Sequence, residues 1–124
     1  MYTNQLKLLE PTTAVSGTIT GGSFAVGDRV KMSVQFISAN STGSAVFTIE
    51  VSNDDTNWVT YNRLTDNVVN SDVQTDTRVA ASSALATATS KMYFFPEGDH
   101  FEYVRATVTI TTGGSYSAIL HTVI

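Results

Sequence analysis

The sequence predicts an all-β fold, a single antiparallel β-sandwich or jelly-roll-like domain of about seven to eight strands. Three observations carry that expectation. The chain is 42% hydrophobic but only 15% charged, and it is dense in Thr, Ser and Val, which suit pleated, half-buried surfaces better than helices. Apolar and polar residues alternate in several short segments, and polar or glycine-containing turns separate them. With 124 residues there is room for one sizeable core and no sign of a second.

Residues 1–12 form an N-terminal arm or edge strand, carrying Leu6, Leu8 and Leu9, and residues 13–124 form the sandwich. Gly21-Gly22 reads as a turn between two short apolar stretches, and Gly27-Asp28 as the next corner. In RVKMSVQFIS, Val30, Met32, Val34 and Phe36 share one face, with Lys31, Ser33 and Gln35 on the other. After the polar turn ANSTGS, AVFTIEV turns Phe47, Ile49 and Val51 inward, and the two strands are expected to pair as a hairpin. The pattern dissolves between Leu64 and Thr89, where Val68, Val69 and Val73 hint at a strand and a long excursion or one short helix would also fit. An aromatic strand then stops at Pro96 and PEGD makes a turn. A long strand follows, with Val104, Ala106, Val108 and Ile110 on one face and Phe101, Tyr103 and Arg105 on the other. Gly113-Gly114 introduces a last strand that runs to Val123-Ile124.

Charge and composition exclude several functions. Seven basic residues against eleven acidic ones, without a basic cluster, argue against direct nucleic-acid binding. No stretch approaches the roughly 18 apolar residues of a membrane span, so no membrane partner is expected. The start lacks the basic and apolar regions of a signal peptide, which predicts a soluble chain made in the cytoplasm. Cysteine is absent, which removes disulfides, thiolate metal sites and cysteine nucleophiles.

The stretch EVSNDDTNWVTY carries the candidate chemistry. Asn53, Asp54, Asp55 and Asn57 offer the hard oxygens that calcium prefers, so Asp54 and Asp55 are weak metal candidates. The spacing, glycine and closing Glu of an EF-hand loop are missing, and turn formation is the simpler reading. Trp58 suits either a lid over one end of the core or a platform for a sugar ring, the latter if Tyr61 or Tyr116 is exposed beside it. His100 and His121 have no nucleophile elbow in the chain to serve, and read as surface or strand residues. Glu50, Glu97, Asp99 and Glu102 lie on a strand face or in a turn rather than across a cleft from one another. No catalytic residue, cofactor or enzymatic activity is expected.

FTIEVSNDDTNWVTY, followed about forty residues later by FFPEGDHFEYVRATVTIT, resembles a pattern in small β-sandwich structural proteins of tailed bacteriophages. There a strand leads into a VSNDGTNW turn, and a later aromatic strand and turn lead into YVRV. Val51, Ser52, Asn53, Asp54, Thr56, Asn57 and Trp58 match the first part, and Tyr103, Val104 and Arg105 the second. The resemblance covers residues 30–124 and departs at Asp55, where the pattern has glycine, and over residues 66–90. It implies a virion component, made in the host cytoplasm. The role implied is a capsid decoration, auxiliary or cement protein, or a small head-tail or tail component. It would work by adhesion to copies of itself, with a trimer favoured, and to the major capsid or another virion protein. A carbohydrate-binding module, recognising a receptor or glycan, is the alternative. Leu6, Leu8, Leu9, Val123 and Ile124 are the expected contact surface.

Overall fold

The structure, a computed structural model, describes residues 3–12, 16–39, 45–70, 73–79, 89–96, 98–111 and 114–123. These residues form two antiparallel sheets and no helix. The first sheet holds β1 (Thr3–Thr12), β11 (Ser115–Val123), β4 (Lys31–Ala39), β9 (Thr89–Phe94), β7 (Leu64–Asn70) and β8 (Val73–Val79), in that spatial order. The second holds β2 (Gly17–Thr20), β10 (Tyr103–Ile110), β5 (Ala45–Ser52) and β6 (Val59–Thr60), and the short β3 (Phe24–Ala25) also pairs with β10. Leaving aside β3 and the β7–β8 ribbon, the chain visits the sheets in the sequence of a jelly roll, with β1-β11-β4-β9 packed on β2-β10-β5-β6. The eleven strands exceed the expected seven or eight because two are only two residues long and the ribbon adds two more.

Alternation places the core between the sheets. Val34 and Phe36 of β4, Phe47 and Ile49 of β5, Val104, Ala106 and Val108 of β10, and Tyr116, Ala118 and Leu120 of β11 are all buried. The Phe36 and Phe47 rings stack across the interior with centroids 4.6 Å apart, and Phe47 meets the edge of Tyr116.

Two expectations are corrected here, and a third, left open, is decided. β4 and β5 do not form a hairpin: both edges of β4 are taken, by β11 and β9, so β5 crosses to the other sheet and pairs with β10. Val30 is 60% exposed and precedes β4, so the inward row begins at the partly buried Met32. The strand hinted at by Val68, Val69 and Val73 is present as two, β7 and β8, which pair with each other, and neither is helical. Residues 80–88 lie outside those described.

The N-terminal segment is an edge strand, β1, paired along β11 from Thr3↔Val123 onward. Its register shifts between Lys7 and Leu9, a bulge that lets the consecutive Leu8 and Leu9 both turn into the core. The backbone of Leu8 then runs so close to Gly21 that a methyl group there would overlap the Leu8 carbonyl oxygen. Gly21 itself donates its N–H to the Ala106 carbonyl of β10 at 2.9 Å.

Candidate functional site

The turn from Ser52 to Trp58 is held by its own side chains. Ser52 Oγ accepts from the N–H groups of Asp54 (3.1 Å) and Asp55 (3.0 Å) and donates to Asp54 Oδ1 at 2.8 Å. Asp54 Oδ1 also accepts from the N–H groups of Thr56 (2.9 Å) and Asn57 (2.8 Å), while Asn57 Nδ2 donates to Asp54 Oδ2 at 2.7 Å. These donors, Asn57 foremost, hold the Asp54 carboxyl far below its ordinary pKa. They engage Asp54 Oδ1 three times and Oδ2 once, so the carboxylate serves the turn. Among the described residues, no three His, Asp or Glu side chains gather as a metal set.

Asp55 has φ 60°, the left-handed conformation that glycine adopts most readily and that Asp tolerates. Asn53 reaches sideways, its Oδ1 accepting from the Glu102 N–H at 3.2 Å, which ties the turn to the approach of β10.

Trp58 is not a lid over the core. It is half-buried on the outer face of the second sheet, where the Arg105 guanidinium lies 4.2 Å from its ring centre. Arg105 Nε donates to Glu50 Oε1 at 2.9 Å from the directly opposite position on β5. A reading of Trp58 as lid overlooked that Arg105, pointing away from the core, offers the ring a flat cationic partner. The expected sugar platform is not assembled either, because Tyr61 (6%) and Tyr116 (0%) are buried and Tyr116 packs deep against Phe47.

Tyr61 instead helps to floor a groove of about 770 Å³ between the Ser52–Trp58 turn and residues 98–101. Below the groove, Tyr61, Phe95 and Phe101 pack as an aromatic cluster with centroids 5.2 to 6.0 Å apart. Above it, Asp99 Oδ2 accepts from the Tyr61 hydroxyl and from Arg63 Nε, both at 2.6 Å. The bond to Asp99 raises the already high pKa of Arg63, so the guanidinium stays charged. His100 Nε2 is 2.8 Å from the Gly27 carbonyl; a carbonyl can only accept, so Nε2 carries the proton.

Sequence reasoning named Asp99 and His100 only as turn and surface residues and passed over Arg63. The available signal was the polar GDH triplet lying between Phe95 and Phe101, two aromatics that had to be buried. His121 is exposed on the outer face of the six-stranded sheet, away from this groove. Glu97 lies outside the described residues.

The expected contact surface changes as well. Leu8 and Leu9 are buried within the chain, because the β1 bulge spends both on the core, and Leu6 packs partly against that core. Val123 is half-buried and Ile124 lies outside the described residues. The large apolar side chains left in the open include Val30, Val59, Met92 and Phe94, which alternation could not rank for exposure.

No protein-family model and no curated protein matches the chain. Among solved structures it is similar to the SPBc2 prophage-derived protein YomS, at 14% identity and a TM-score of 0.65, with 99% of this chain and 94% of that one covered. It is also similar to a chain of the T13 particle of infectious bursal disease virus, at 16% identity and a TM-score of 0.53, and to one of the T=1 particles derived from that virus, at 16% and 0.54. In both virus comparisons 98% of this chain is covered but only 31% of the other, so it spans about a third of those chains. At such identities the likeness establishes the fold, a jelly-roll-like sandwich found both as a whole small protein and as one part of longer particle-forming chains.

Proposed function

We propose that this chain is a non-enzymatic structural protein of a bacteriophage virion, a capsid decoration or auxiliary protein. It acts by associating with copies of itself, as a trimer, and with the major capsid protein. The observation that carries this reading is the likeness to the prophage-derived protein, which runs through nearly the full length of both chains. The VSND-x-TNW and YVR elements support it from the sequence side: Tyr103 lies opposite Ser52 and Arg105 opposite Glu50, so the two halves of the pattern form one structural unit.

The outer face of the six-stranded sheet suits adhesion. Met92 and Phe94 of β9 are 44% and 39% exposed there, beside Gln35 and Ile37 of β4 and Ile119 of β11, with no acidic side chain among them. A small head-tail or tail component is the second reading, since the same fold and the same adhesive face serve it equally.

The test is particle composition. Virions of the phage that encodes the chain are purified, the protein is quantified by mass spectrometry, and it is located by immunogold labelling. Multiple copies on the head, with a trimeric mass for the isolated protein by light scattering, are the expected result. Labelling confined to the tail selects the second reading. Absence from particles overturns both.

A further inference from the structure

We propose that the groove between the Ser52–Trp58 turn and residues 98–101 binds a neutral saccharide, an activity separate from the assembly role. Its volume of about 770 Å³ falls among those of small-molecule sites. Val59, 63% exposed, is the apolar side chain it offers a ligand, while Val51, Tyr61 and Phe101, all buried, close its base. The exposed Val59 side chain can lie against the C–H face of a sugar ring.

The polar groups decide the ligand's charge. A cation is disfavoured: Asp54 already takes four bonds from the turn's own donors, Asp99 Oδ2 takes two, from Tyr61 and Arg63, and the Arg63 guanidinium carries like charge into the groove. An anion such as a phosphate or sulfate would meet two lining carboxylates against one guanidinium. What is left is a ligand without charge that can use directed donors. Arg63 lines the groove, is half-exposed and is held by Asp99 through Nε and by a hydrogen bond with Tyr61, which fixes the plane of its guanidinium. Asn53 commits its carbonyl to Glu102, which keeps its amide N–H groups for an acceptor. Hydroxyl-rich, uncharged and apolar on one face, a neutral saccharide meets all of these conditions. Trp58 has no part in it, being engaged with Arg105 on the outer face of the sheet.

The test uses the full chain, biotinylated and tetramerised on streptavidin, on an array of neutral, sialylated and sulfated glycans. The neutral glycan retained is then titrated into ¹⁵N-labelled protein. The expected result is retention of a neutral glycan, with shifts at Asn53, Arg63 and residues 98–101. Arg63→Met and Val59→Arg should each weaken binding by about tenfold or more, and His121→Ala should leave it unchanged. Val59→Arg keeps the test decisive if Arg63→Met fails to fold, because Val59 is exposed. Retention of charged glycans only, no retention at all, or binding that survives Val59→Arg overturns the proposal. Particle composition is measured independently, so this failure is distinct from failure of the virion role.

Discussion

The guanidinium of Arg105 lies over the ring of Trp58, 4.2 Å from its centre, and the same side chain bonds Glu50 across the strand pair. Neither Arg105 nor Glu50 is fully exposed, so both contacts retain some strength in water. Arg105→Ala should destabilise the protein by about 1–2 kcal/mol, and a double-mutant cycle with Trp58→Ala should isolate a coupling of about 0.5–1 kcal/mol. Tryptophan emission should move to longer wavelength in Arg105→Ala; an unmoved spectrum would contradict the stacking.

Asp55 holds a left-handed backbone where the related pattern has glycine. Asp55→Gly should therefore stabilise the chain slightly, by less than about 1 kcal/mol, whereas Asp55→Val should cost about 1–2 kcal/mol. Urea midpoints at constant m-value separate the two.

The depressed pKa of Asp54 has a defined sign. The folded carboxyl lies below its ordinary 3.8, so its contribution is complete above that value and drains away as pH falls below it toward the lowered pKa. Asp54→Asn should lower the urea midpoint clearly at pH 7, and the gap from the parent protein should narrow by pH 3. A gap that widens in acid would reverse the assignment.

Leu8 and Leu9 bind β1 to the core, so removing residues 1–10 should abolish cooperative unfolding rather than trim an arm. Leu8→Ala alone should cost about 2–5 kcal/mol, read by calorimetry.

Gly21→Ala is the sharpest test of the β1 crossing. Its methyl has nowhere to go but into the Leu8 carbonyl, so a loss of about 1–3 kcal/mol or more is expected. Gly22→Ala, next to it, meets open space and serves as the control.

Much of this was legible in the chain, and the limits have physical causes. Period-two alternation placed Val34 and Phe36 of β4 on one face and turned Phe47 and Ile49 of β5 inward, because burial is a local demand on each strand. It could not say whether β4 and β5 share a sheet, since a hairpin and a crossing present the same inward rows. Ser52, Asp54 and Asn57 were visible as a turn because their bonds span at most three residues. Asp99 and Arg63 were not, because they stand 36 residues apart and meet only once both sheets are formed. The consecutive leucines of β1 were read as an adhesive patch, and only the bulge explains how two neighbours can both face inward.

The pairing of Thr3 with Val123 also sets a timetable. β1 has no partner on a ribosome until β11 has emerged, and Leu8 and Leu9 remain in water for the whole interval. Long-range closure of this kind makes folding slow and leaves a sticky intermediate. The chain is thus open to aggregation until β11 has left the ribosome and paired with β1, and a chaperone that shields an apolar N-terminal strand would act in that window.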